Sequence, residues 1–317
     1  MSRSQTTQKA AIRHFLDLKE CSSADLRTIL DLGARVKAMQ EGRRHPLHPE
    51  QPLAGRTLGL IMAQPSTRTR VSFEVGMTQL GGAVTVLSPS DMQLGRGETI
   101  ADTARVLSRF LDIIVLRTGH DANLRELATW SSVPVINGLT PVSHPIQILA
   151  DVLTFEEHRG PITGRTLAWV GDGNNVATSL IEAAALLGFS LRLATPEGFE
   201  PSHHAVKWAR EHGATIITTQ DPLEAVKGAD AVITDTWVSM GDTDADRRHR
   251  LFRPYQVNDA LMEHASKDAL FMHCLPAHIG EEVSKDVFEG PHSVVFDEAE
   301  NRLHSQKGLL LWCLGKD

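Results

Sequence analysis

Pro65-Ser66-Thr67-Arg68-Thr69-Arg70 decides how this chain is read, because it joins two segments of different period. Upstream, Arg56-Thr57-Leu58-Gly59-Leu60-Ile61-Met62 is a short apolar run of strand type. Downstream, Val71 to Leu80 carries apolar residues at helical spacing and is closed by Gly81-Gly82. The run therefore falls on a strand-to-helix turn. Free backbone N–H groups at a helix N-terminus favour an anion. Ser66, Thr67 and Thr69 add hydroxyl donors, while Arg68 and Arg70 add planar, permanently charged forks suited to phosphate oxygens. A Ser/Thr cap with two solvated arginines is the plain alternative. Three hydroxyls interleaved with two arginines favour a phosphate or carboxylate site.

Outward from this turn, strand and helix patterns alternate. Strands are expected at 57–62, 83–87, 112–116 and 133–136, with helices at 71–80, 99–110 and 121–130. A helix from Ser22 or Ser23 to about Gln40 precedes them, after a disordered Met1–Gln8. His144 to His158 reads as one long helix leading into a second alternating set. Its strands are expected at 166–170, 189–194, 214–218, 230–234, 269–273 and 293–296, and its helices at 175–187, 203–212, 222–227, 258–265 and 283–287. Gly241 to Arg250 is expected to be a loop, and Asn301 to Leu314 a last helix. The fold class is α/β: two domains, each a parallel sheet flanked by helices, joined by long helices.

Composition narrows the function. The 317 residues suffice for two domains, 41% are hydrophobic and 22% charged, and the net charge is −7. A negative chain does not favour nucleic acid, whereas a local arginine cluster suits a small anion. No apolar run reaches membrane-spanning length and Met1 to Lys9 lacks a signal-like core, so a cytoplasmic protein is expected. Three distant cysteines (Cys21, Cys274, Cys313) argue against a disulfide framework.

Ligands of open α/β sheets bind beyond the carboxyl ends of the strands. The first half places Ser66–Arg70, Gln93, Arg117 and His144-Pro145-Ile146-Gln147 there. The second half places Gly171-Asp172-Gly173-Asn174-Asn175, Asp235 to Gly241, His273-Cys274-Leu275-Pro276 and Asp297 to Arg302. One half suits an anion, the other an amine or amino acid.

Together these motifs, in this order over roughly residues 10 to 317, resemble the carbamoyltransferases. Ser66-Thr67-Arg68-Thr69-Arg70 and His144-Pro145-Ile146-Gln147 are similar to the broad family's carbamoyl phosphate site. Asp235-x-x-x-Ser239-Met240-Gly241 and His273-Cys274-Leu275-Pro276 resemble its ornithine branch. Gln64 stands where a lysine is frequent, and Ile279 where an arginine is usual. The resemblance implies attack of the ornithine side-chain amine on carbamoyl phosphate, giving citrulline and phosphate, in arginine biosynthesis, with no cofactor and no metal. It implies that Ser66, Thr67, Arg68, Thr69 and Arg117 hold the phosphate, helped by Gln93 from a neighbouring subunit of a homotrimer, and that Arg302 completes the clamp. His144 and Gln147, with Arg117, would polarise the carbonyl, and the Leu275 carbonyl would hold the carbamoyl NH2. Asn175, Ser239 and Met240 would grip the amino-acid end, and Asp235 and Cys274 would orient the amine. It divides the chain into a carbamoyl phosphate-binding domain at 1–147, completed by about 303–317, and an ornithine-binding domain at 148–302.

Competing readings remain for single residues. His144 before a proline could only cap a helix. Cys274 could be a buried small residue, and a thiol nucleophile would need a base, whereas His273 on a regular strand points to the opposite face. Zinc on His273, Cys274 and His278 lacks a fourth ligand nearby. Asp242-x-Asp244-x-Asp246 lacks the glycine and terminal acid of a calcium loop. Gly171-x-Gly173 resembles the start of a dinucleotide fingerprint, but Val176 occupies the third glycine's place. At chain level the alternatives are a transferase for putrescine or an acylated ornithine, and a non-catalytic relative of the fold.

Overall fold

The computed structural model describes residues 12–39, 47–88, 97–239 and 243–317. The expectations for Met1–Gln8, for Gln93 and its glycine-rich loop, and for Met240-Gly241 concern residues outside these.

The first lobe is a parallel sheet of β1 (Thr57–Met62), β2 (Ala83–Leu87), β3 (Ile113–Arg117) and β4 (Val135–Leu139) in the order β2-β1-β3-β4. It is flanked by α1 (Ser23–Ala38), α2 (Thr67–Gln79), α3 (Ile100–Leu107) and α4 (Asp121–Trp130). β3 is buried at every position, which explains its unbroken Ile-Ile-Val-Leu run. α5 (Pro145–Arg159) leads to the second lobe. There β5 (Thr166–Val170), β6 (Ser190–Ala194), β7 (Ile216–Thr219), β8 (Ala231–Thr234) and β9 (Leu270–His273) pair in the parallel order β7-β6-β5-β8-β9. The helices after β5 are α6 (Asn175–Leu187), α7 (His203–Glu211), α8 (Pro222–Val226), α9 (Ala245–Phe252), α10 (Asp259–Met262), α11 (Lys285–Phe288) and α12 (Val295–Cys313). The α/β class, with two parallel sheets flanked by helices, is as expected.

Local chemistry accounts for the helix starts. Ser22 and Asp25 form a reciprocal capping box at α1. Ser66 caps α2 by accepting the Thr69 N–H, so this helix begins at Thr67, not near residue 71. Asn174 caps α6 through the N–H groups of Val176 and Ala177.

Three expectations are corrected. The Val-Val-Phe stretch at 293–296 is no strand: Ser293 makes one isolated bridge to Phe271, and the chain then enters α12, whose first turn carries Asp297 and Glu298. Acidic side chains there favour the helix N-terminus over the β-branched propensity of two valines. The stretch expected as loop 241–250 contains α9, because buried Phe252 packs on Phe199 and Trp237 and Arg248 pairs with Asp172 and Asp244. The helices expected at 258–265 and 283–287 shrink to the short α10 and α11.

α12 returns from the second lobe and packs along α1, α5 and α2 of the first. Backbones nearly touch at this crossing. A Cβ on Gly308 would lie 2.3 Å from the Ile29 carbonyl oxygen and 2.6 Å from the Gly33 nitrogen. Strand order then locates the ligand sites. β1 is flanked by β2 and β3, and β5 by β6 and β8, so each sheet reverses its winding beside its first strand. Crevices at such switch points open at the carboxyl ends of those strands.

Candidate functional site

Both switch points face one another across contacts from Arg68 to Leu275 and from Asn175 to Thr140. After β1, the N-terminal turn of α2 presents Ser66, Thr67, Arg68 and Thr69. Ser66 Oγ donates to Thr69 Oγ1 at 3.1 Å. Buried Thr69 also accepts from Arg302 Nη2 at 3.2 Å and Arg117 Nη1 at 3.5 Å. Arg117 ends β3 beside a register shift, pairing with Leu139 after Leu116 has paired with Asn137. Such a bulge re-aims the side chain that follows it. Arg68 crosses between the lobes and donates to the Leu275 carbonyl oxygen.

Three guanidinium groups therefore converge. Burial first, and Arg68 second, pull Arg117 down to about 10 and Arg302 down to about 10. Both Nε atoms, on Arg117 and Arg302, are buried without a hydrogen-bond partner. So is Nδ1 of His144. Burial and the charges of Arg302, Arg117 and Arg68 hold the His144 imidazole well below its usual pKa, so it is neutral at pH 7. Its side chain makes no cap bond on α5, where Pro145 occupies the first turn, so the helix-cap alternative is not realised. The His144 backbone N–H is held by Ser179 Oγ at 2.9 Å.

Both ends of the Gln147 amide are engaged by protein groups. Its Nε2 donates to Asp151 Oδ1 at 2.8 Å and Glu298 Oε1 at 3.0 Å, and its Oε1 accepts from Arg302 Nη1 at 2.5 Å. Two carboxyl acceptors on one end and a guanidinium on the other assign the amide orientation. Within the protein, Gln147 therefore donates to the two acids and accepts from Arg302.

On the second lobe, Asp235 follows β8. Its Oδ1 accepts from Cys274 Sγ at 3.1 Å and from the Thr236 N–H at 2.8 Å, while Oδ2 accepts from Asn174 Nδ2 at 2.8 Å. Burial, then Asp235, pushes the Cys274 thiol well above its ordinary value, so it remains a protonated donor. His273 does not point away as a regular strand would require, since β9 stops at that residue. A His273 nitrogen, the Cys274 sulfur and an Asp235 oxygen lie within 4.8 Å of one another. Yet His273 Nδ1 accepts the Leu275 N–H at 2.8 Å and Nε2 faces Glu282 Oε1 at 3.2 Å, so neither nitrogen is free to act as a base. His278 groups with Glu281 and Glu282 instead.

Asn175 donates to the Thr140 carbonyl at 2.7 Å, tying α6 to the first lobe, and Ser239 is exposed beyond β8. Gly173 serves close packing: a Cβ there would lie 2.3 Å from the Pro201 nitrogen. The sequence reading placed Asn174 and Glu298 at strand ends without giving them a role, and passed over Asp151 and Ser179. Helical spacing could have flagged two of them, since Asp151 lies one turn after Gln147 and Glu298 one turn before Arg302. The arrangement can hold a small multivalent anion between α2 and the three arginines. It offers an amine a carboxylate, a thiol and two amides across the cleft.

An oxyanion-binding turn facing an acidic amine pocket defines the class as a two-substrate transferase of the double-lobed α/β type. Comparison with known proteins then gives the family. Residues 13–157 match the aspartate/ornithine carbamoyltransferase carbamoyl-P binding domain, and residues 163–313 match its Asp/Orn binding domain. The chain belongs to the aspartate/ornithine carbamoyltransferase family. It is 60% identical over 306 residues to an ornithine carbamoyltransferase of Nitrobacter winogradskyi, covering 96% of this chain and 98% of that protein. Against one from Rhodopseudomonas palustris the figures are 59% over 308 residues, with 96% and 98% covered. Among solved structures, ornithine carbamoyltransferase from Pyrococcus furiosus superposes with a TM-score of 0.91 at 48% identity, covering 97% of this chain and 98% of that one. An anabolic ornithine carbamoyltransferase from Campylobacter jejuni gives a TM-score of 0.89 at 37% identity, with 96% and 100% covered.

Proposed function

We propose that this chain transfers the carbamoyl group of carbamoyl phosphate to the side-chain amine of L-ornithine, forming L-citrulline and phosphate without a covalent intermediate. The observation that carries this reading is the convergence of Arg68, Arg117 and Arg302 with neutral His144 on the N-terminus of α2, opposite the Asp235–Cys274 pair. Relatives named ornithine carbamoyltransferase over nearly the whole length support the choice of acceptor.

In this reading Ser66, Thr67, Arg68 and Thr69 bind the phosphate with the first-turn N–H groups of α2. Arg117 bridges the phosphate and the carbonyl oxygen, and His144 donates to the same oxygen as negative charge develops there. Gln147 accepts from the carbamoyl NH2 through Oε1, a task shared with the Leu275 carbonyl when Arg68 turns to the phosphate. Asp235 and Cys274 orient the amine, while Asn175, Ser239 and Met240 hold the amino-acid end. A free amine of this type has a pKa of about 10.4, so it must shed a proton before attack. The departing phosphate accepts one, and positioning of the two substrates supplies much of the rate.

The residues up to about 147, together with the last helix, form the carbamoyl phosphate domain, and residues 148–302 the ornithine domain. Gln93 from a neighbouring subunit completes each site of a homotrimer in the cytoplasm. Among the described residues no helix is long and apolar enough to cross a membrane. The direction is biosynthetic, toward arginine; the relative from Campylobacter jejuni is named an anabolic ornithine carbamoyltransferase.

Product formation from carbamoyl phosphate with ornithine, putrescine, N-acetylornithine, aspartate and lysine tests the acceptor. Clear preference for ornithine is expected. Preference for another amine would overturn the reading of Asp235 to Gly241, and no turnover at all would leave a non-catalytic relative. Light scattering should return three times the chain mass, and a fully active monomer would rule out the shared site.

A further inference from the structure

Behind Gln147 lie two acids to which the motifs assign no role. Asp151, one turn further along α5, is 3% exposed, and Glu298, in the first turn of α12, is 1% exposed. Both accept from the single Gln147 amide nitrogen. The second Glu298 oxygen accepts the His273 N–H at 2.8 Å, at the end of β9 and next to Cys274. Arg302, one turn after Glu298, closes the ring on Gln147 Oε1. α5 and α12 thus meet on one amide, and Glu298 ties it on to the end of β9.

An amide has a donor end and an acceptor end, and reversing it exchanges them. We propose that Asp151 and Glu298 are positioning residues for carbamoyl transfer, which hold the Gln147 oxygen toward Arg302 and the carbamoyl group and lock α12 and the end of β9 in place. This rests on the functional reading above. Without the two acids the NH2 end of Gln147 loses both of its acceptors and only Arg302 on Oε1 still orients the amide, and a reversed amide would confront the carbamoyl NH2 with a second donor.

The two carboxyls share a donor in a buried site, so they do not both ionise at neutral pH. Burial first and Asp151 second raise Glu298 well above the usual carboxyl range. Asp151 is raised to about 6 by burial, against the lowering bonds of Gln147 and Glu298. Arg302 on α12, Asp235 beyond β8 and Cys274 beyond β9 are the other groups acting on the pair. Of the two, Glu298 is the one that holds its proton more strongly and Asp151 the one that ionises first. Glu298 has a folded-state pKa above its unfolded one, so its contribution is full at low pH and is lost as pH rises through the folded value.

The test uses Asp151→Asn, Glu298→Gln and the double variant in the full-length protein. The double variant removes the anion and offers amides that compete to donate. Its kcat is expected to fall about 100-fold, the scale of a misplaced reacting group. The KM for ornithine, bound by the other lobe, should stay within about twofold. Asp151→Asn leaves only one acid, so the coupling of the two ionisations is lost and the pH profile of kcat should shift; this single variant carries the test if the double variant does not fold. An unchanged kcat in the double variant, or an unchanged pH profile in Asp151→Asn, overturns the proposal while leaving the functional reading intact. If the unmodified protein makes no citrulline, the functional reading fails and this proposal with it.

Discussion

Arg117→Ala should lower kcat for carbamoyl transfer by about 100- to 1,000-fold, the cost of removing one donor to a developing oxyanion, or roughly 2.7–4 kcal/mol. The reason lies in where the guanidinium sits. It is 7% exposed, bonded only weakly to Thr69 at 3.5 Å, and its buried Nε has no partner. Burial and Arg68 both disfavour its charge. A cation kept where the fold gains little from it is available to a ligand, and its removal relieves repulsion within the arginine cluster. The thermal midpoint of the unliganded variant should therefore stay within a few degrees of the parent. Inorganic phosphate should stabilise the parent, as any ligand of the folded state does, and should stabilise the variant far less. Steady-state kinetics and thermal shifts on the same preparations read both effects. A variant with near-parental kcat would remove Arg117 from the mechanism.

Gly308→Ala carries the largest expected cost to stability, about 2–3 kcal/mol, the upper range for overpacking a close contact. The added methyl would meet backbone, not a mobile side chain: the Ile29 oxygen at 2.3 Å and the Gly33 nitrogen at 2.6 Å. Gly33 has no side chain to yield, and a Cβ of its own would lie 3.0 Å from the His304 oxygen. Relief requires α12 to move away from α1. The same helix carries Glu298 and Arg302, so kcat should fall along with the thermal midpoint. Calorimetry and kinetics would measure this directly, and an unaltered midpoint would mean that the crossing is not tight.

How far the chain could be read in advance depended on the kind of signal. Strands of the first sheet were visible because Leu58-Gly59-Leu60-Ile61 and Ile113-Ile114-Val115-Leu116 are buried on both faces and form unbroken apolar runs. α9 was not visible, because its stabilising contacts include one aromatic, Phe252, and the long-range ion pair of Arg248 with Asp172, neither of which gives a helical apolar stripe. The end of β9 misled for a related reason. Alternation places His273 opposite Cys274 only while the strand continues, and it stops there.

The sequence by itself determined the α/β alternation, the strand-to-helix turn at Ser66–Arg70 and the chemical types placed at the strand ends. These follow from side-chain period and local capping, which act over a few residues. Only the tertiary structure decided which groups meet. It brought Arg302, at the far end of the chain, onto Thr69 and Gln147. It paired Asn174 with Asp235, and it turned the Gln147 amide by placing Asp151 and Glu298 behind it. Those contacts span up to 233 residues. The physical reason is that an amide, a buried acid or an arginine has its protonation and orientation set by partners from other elements, and no local pattern in the chain encodes them.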